Sequence, residues 1–114
     1  MFHVKHLYTR LTMTIPGAGT AIHLAELEES GSGCLVHRMI ALTPDEVIAG
    51  AARVDKPGTS AEKMHRAGQI DVPKTTVPHP DTYGDYPDIT TQHLSHDAFA
   101  AWWAEVQQRF PELA

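Results

Sequence analysis

SHDAFAAWWAEVQQRF, residues 95–110, is the stretch on which the fold turns. Phe99, Trp102, Trp103, Val106 and Phe110 recur at i, i+3, i+4, i+7 and i+11, a spacing that gathers them on one face of an α-helix. Ser95 can accept from the free N–H groups of the first turn, Asp97 sits at the positive end of the helix dipole, and Pro111 stops the helix. Leu94 and Phe99 have the spacing of a hydrophobic staple. Both tryptophans and two of the three phenylalanines lie here, so the helix is read as the anchor of a core.

That helix needs a surface to cover, and the first half of the chain offers strands. In residues 7–15 Leu7, Thr9, Leu11, Met13 and Ile15 alternate with Tyr8, Arg10, Thr12 and Thr14, the period of a half-buried strand. PGAG at 16–19 is a turn; it lacks the spacing and the Lys-Ser/Thr ending of a phosphate loop. TAIHLAELEE at 20–29 returns, SGSG at 30–33 turns again, and CLVHRMIAL at 34–42 has apolar residues on both faces, as a central strand does. TPDE at 43–46 reads as a helical capping box or as a type I turn into a fourth strand, VIAGAARV, and the turn is favoured. Residues 55–94 hold five of the eight prolines. Within them Thr59 and Glu62 suggest a capped short helix bearing Ala61, Met64 and Ala67 and ending at Gly68. Asp71 to Thr91 reads as extended chain draped over the body and pinned by Val72, Val77, Tyr83, Tyr86 and Ile89.

The expected fold is α+β: a small antiparallel sheet of three or four strands with the C-terminal amphipathic helix packed on one face. The chain is expected to be a single domain, 1–114, with an N-terminal extension at 1–6, a strand meander at 7–54, a Pro-rich segment with a short helix at 55–94 and the core helix at 95–110.

Composition narrows the function. Hydrophobic residues make up 42% and charged residues 20%, as in ordinary globular proteins, and the net charge is −5. No run of Lys or Arg opposes that charge, so nucleic acid is not an expected partner. Through Arg38 three acids balance three bases; beyond it eleven acids face six bases. The single cysteine, Cys34, allows no internal disulfide, and no run is long enough to span a membrane, so a cytoplasmic protein without membrane attachment is expected. No cofactor is implied. The opening MFHVKH admits a separate reading: one choice of codons for it, ATG TTT CAC GTG AAA CAT, is a perfect inverted repeat containing the palindrome bound by bacterial chromosome-partition proteins, while other codons encode the same six residues and make it coincidence. A DNA element there would discount His3 and His6 as ligands, and the gene's codons decide the matter.

The order of pieces resembles a family of small, functionally uncharacterised bacterial domains. The matching pieces are LYTRLTMTI, the acidic strand end LAELEE, Arg38 within LVHRMIAL, TPDEVIAG, and Ser95, Phe99 and Trp103 in a Ser-x-x-x-Phe-x-x-x-Trp frame. The likeness spans about residues 7–105, with His37-Arg38-Met39 where the family has Arg-Lys-Val. It implies a sheet-plus-helix fold and no known activity.

Several groups invite a chemical reading. The eight histidines raise metal binding, with His93, His96 and Asp97 in HLSHD as the candidate ligands; a cap at Ser95 would leave His93 outside the helix. HPDTYGDYPD gathers Asp81, Asp85 and Asp88 beside Tyr83 and Tyr86; no EF-hand spacing is present, and the plain reading is a solvated loop with tyrosines suited to a protein partner. Cys34 and His37 point to opposite faces of a strand and make no nucleophile pair. Arg38, mid-strand among apolar neighbours and next to His37, must reach water, pair with an acid such as Glu26, or bind an anion. With no catalytic cluster, the leading expectation is a non-catalytic interaction or regulatory module that docks a protein through its acidic Tyr/Pro-rich surface. The alternative is a small-molecule- or metal-binding enzyme using Arg38, His37, His93 and His96.

Overall fold

The computed structural model describes residues 6–17, 19–72 and 74–113, so the reading of MFHVKH falls outside it except at His6. β1 (His6–Ile15), β2 (Gly19–Ser30), β3 (Gly33–Leu42) and β4 (Ile48–Asp55) form an antiparallel meander. At TPDE the chain takes the hairpin: Glu46 N–H donates to the Thr43 carbonyl at 2.8 Å, closing a turn into β4. β5 (Lys63–Gly68), β6 (Thr76–Pro78) and β7 (Ile89–His93) complete the sheet, and α1 (His96–Arg109) closes the chain. The strand order is β5-β4-β3-β2-β1-β7, with β6 paired to the first residues of β3.

The sheet therefore has seven strands, and the expectation of three or four is corrected. Two of the added strands arise in the segment read as drape. Gly33, Cys34 and Leu35 extend past β4, and residues 76–78 satisfy their backbone groups; residues 89–93 do the same along β1. The short helix expected after Thr59 is also absent. Its capping residues serve a turn instead: Thr59 Oγ1 accepts from Ala61 N–H, and the Glu62 carboxylate accepts from Gly58 N–H at 2.8 Å. The chain then runs along β4 as β5, where Met64 packs toward Val54. Gly68 ends β5 with φ +68°; a Cβ there would stand 2.5 Å from the Ala49 carbonyl oxygen, so only glycine fits.

Alternation along the strands builds two apolar layers. On one face Ile22, Leu24, Ile40, Leu42, Ile48 and Ala51 meet Phe99, Trp103, Val106 and Leu113. Ser95 caps the helix by accepting from Ala98 N–H at 3.0 Å, Trp103 is buried, and Trp102 is half-covered at the edge. On the opposite face Ala25, Leu27, Cys34, Val36 and Val54 form a second layer that no α-helix among the described residues covers. Residues 71–72 and 74–83 cross it as a strap, with Val72 buried and Val77 packed down. No helix among the described residues is long and apolar enough to cross a membrane.

Candidate functional site

Among the described residues we take two features as candidates, one on each face of the sheet. The first is a polar cluster on the helix side. A β-bulge between the β2 and β3 pairings sets Glu26 opposite Arg38 and Leu27 opposite Val36, so His37 is the extra residue. The bulge turns His37 and Arg38 to the same side. Arg38 Nε donates to Glu26 Oε1 at 2.7 Å, and the guanidinium lies over the Phe99 and Trp103 rings at 5.0 and 5.1 Å from their centroids. Arg38 is thus engaged inside the chain, by the acid across the hairpin and by the helix.

Glu26 gathers more than Arg38. Tyr8 donates its hydroxyl to Glu26 Oε2 at 3.1 Å, and His6 Nδ1 lies 3.2 Å from the same oxygen. Burial pushes the Glu26 carboxyl up, but the hydrogen bond and charge of Arg38, with His6 and Tyr8, outweigh it and hold the group below its ordinary range. Beside it His37 Nε2 lies 2.7 Å from Glu28 Oε1, and the His6 and His37 rings are 4.8 Å apart.

The residues singled out in HLSHD are dispersed. His93 sits at the end of β7 opposite Thr9, exposed, while His96 Nδ1 lies 3.1 Å from Asp97 Oδ1 and its ring meets Tyr8 edge-on. Among the described residues, the His, Cys, Asp and Glu side chains whose ligand atoms converge are His6, Glu28 and His37, all within 4.8 Å of one another.

The second feature is a cavity of about 290 Å³ on the strap side. Leu11, Ala25, Leu27 and Met39 form its floor, Val77, Pro78 and Tyr83 its roof, and His23, Asp71 and Lys74 its polar rim. Tyr83 donates its hydroxyl to the Pro78 carbonyl at 2.9 Å, which fixes the ring as part of the roof. Burial lowers the pKa of His23, and the Asp71 charge opposes that only in part. Burial also raises the Tyr83 phenol, and it raises the Cys34 thiol with help from Glu29 and Asp81.

The Tyr/Pro-rich loop divides accordingly. Tyr83 faces the cavity, whereas Tyr86 is 54% exposed and Asp81 and Asp88 face solvent; the Asp85 side chain lies outside the described residues. Sequence reasoning passed over Glu28 and the cavity as sites, and it set His6 aside as a ligand on the hypothesis of a DNA element at MFHVKH. The β1–β2 register, in which Ile15 opposes Gly19 and His6 opposes Glu28, follows from the Pro16-Gly17 turn and was the available signal for the first. Compared with known proteins, the chain matches no family model, no curated protein and no solved structure.

Proposed function

We propose that the protein is a non-catalytic binding module whose ligand seat is the strap-roofed cavity. The observation that carries this reading is an apolar space of about 290 Å³ beneath a segment held down by its own side chains. An empty apolar cavity of about 150 Å³ accepts benzene, so this one has room for two fused rings or an acyl chain of about eight carbons. The occupant is a small, mostly apolar molecule with one polar end, which meets His23, Asp71 and Lys74 at the rim.

The outward side of the same segment supports the partner reading drawn from sequence. Exposed Tyr86 with Asp81 and Asp88 offers aromatic contact area and negative charge to a basic protein surface, and ligand binding beneath the strap would set its position. Net acidity speaks against nucleic acid, and one buried thiol suits a reducing compartment such as the cytoplasm. The likeness to small bacterial domains belongs with these proposals and brings no activity of its own.

Titration with N-phenyl-1-naphthylamine, followed by competition with octanoic acid, tests the seat. Saturable fluorescence enhancement at one site per chain, displaced by octanoic acid, is the expected result. Filling the floor with Ala25→Phe, or with Leu11→Trp if the first variant folds poorly, should weaken the probe at least tenfold while the melting curve stays cooperative. Enhancement that never saturates, or that ignores a folded filling variant, overturns the reading.

A further inference from the structure

We propose that His6, Glu28 and His37 form a binding site for a divalent transition-metal ion of the zinc class, on the sheet face away from the cavity. Three neighbouring strands each supply one ligand: His6 and Glu28 are directly opposite in the β1–β2 register, and the β3 bulge turns His37 toward them. The set is two imidazoles and one carboxylate, a donor combination that suits zinc, cobalt, nickel or ferrous iron and not calcium or magnesium. Their ligand atoms already lie within 4.8 Å of one another, and His37 Nε2 and Glu28 Oε1 are 2.7 Å apart. An ion with bonds of about 2.1 Å sets tetrahedral ligands about 3.4 Å apart, so closure asks for side-chain rotations that move atoms about 1 Å.

The surroundings argue for more than proximity. Glu26 engages His6 through Nδ1, which leaves Nε2 as the ligand atom, and Glu26 is itself held by Arg38 and Tyr8. A carboxylate fixing the outer nitrogen of a ligating histidine is the usual support of a metal site. The three side chains are also partly exposed, so an ion held by them keeps positions open for water or a substrate atom.

The test uses the full chain without an affinity tag. Calorimetric titration with Zn²⁺, and Co²⁺ titration followed by visible absorption, should report one ion per chain, with a cobalt spectrum of nitrogen–oxygen ligation. His37→Ala, Glu28→Gln and His6→Ala should each weaken Zn²⁺ by about tenfold or more, and Glu26→Gln, acting through His6, by about 10–100-fold. Each ligand variant in chelator should still unfold cooperatively, with a melting temperature within about 4 °C of the parent for the loss of a partly exposed ion pair, which separates lost ligation from lost folding. Binding no tighter than that of the folded triple variant overturns the site, as does binding abolished by His93→Ala or His96→Ala instead. Neither result bears on the cavity, whose probe reads the other face.

Discussion

Replacing Arg38 with methionine strips the charge that Glu26 faces at the junction of helix and sheet. Removing one partner of a buried ion pair costs about 3–5 kcal/mol, because the other charge is stranded. The Glu26 side chain is 10% exposed and that of Arg38 24%, and Glu26 keeps Tyr8 and His6 as partners after the change. Those remaining bonds place the loss at the low end, about 3 kcal/mol. Withdrawing the cation from the Phe99 and Trp103 rings costs about another 0.5–1 kcal/mol. A methionine sulfur against the same rings offsets about that much. For 114 residues, an unfolding entropy of about 2.1 cal/mol/K per residue turns 3 kcal/mol into a melting temperature lower by about 12 °C. Urea and thermal unfolding of Arg38→Met, Glu26→Gln and the double variant, followed by tryptophan fluorescence and circular dichroism, measure both the loss and the coupling. The double variant should be more stable than the sum of the single losses by more than about 1 kcal/mol. An Arg38→Met protein within about 0.5 kcal/mol of the parent, or strictly additive losses, would refute the assignment of this pair as the link between helix and sheet.

Three further outcomes are expected. Gly68→Ala forces a Cβ against the Ala49 carbonyl and the Phe110 ring at φ +68°, and should cost about 2 kcal/mol or more in urea unfolding; Gly17→Ala, also at positive φ but facing open space, should cost about 1 kcal/mol. The Cys34 thiol, fully buried with its pKa raised by burial, should react with a thiol reagent only at the rate of unfolding, measured as colour development in native buffer against urea. His23, facing Asp71, Lys74 and Tyr83 at the cavity, has a folded pKa below its usual 6.5, so the unfolded chain takes up the proton first. Its contribution to stability is complete above about pH 6.5 and is lost as pH falls below that. The gap between unfolding midpoints at pH 7.5 and 5.5 should shrink in His23→Gln, and an unchanged gap would contradict the burial argument.

How far the sequence reached depended on whether a feature was local. The helix at 96–109 was legible because its cap, its dipole charge, its apolar face and its stop are all written within seventeen residues, 95–111. The first strands were legible for the same reason, through period-two alternation between glycine turns. Residues 63–68, 76–78 and 89–93 gave no comparable signal. They are short, and they are strands because β4, β3 and β1 present unpaired backbone groups to them. Propensity misled at Thr59–Glu62, where a residue pair that caps helices closes a turn beside a glycine instead.

The candidate sites divide along the same line. The sequence left Arg38 three outcomes, reaching water, pairing with an acid such as Glu26 or binding an anion, and the structure takes the second. What the amino-acid order determined by itself, then, is the helix, its apolar face, the meander and the need for Arg38 to reach water, an acid or an anion. Only the tertiary structure decided that a one-residue bulge would turn His37 toward Glu28 and His6, and that the proline-rich segment would roof a cavity on the far face. Both depend on register and on which surfaces stay uncovered once the sheet is assembled, and those are properties of strands far apart in the chain.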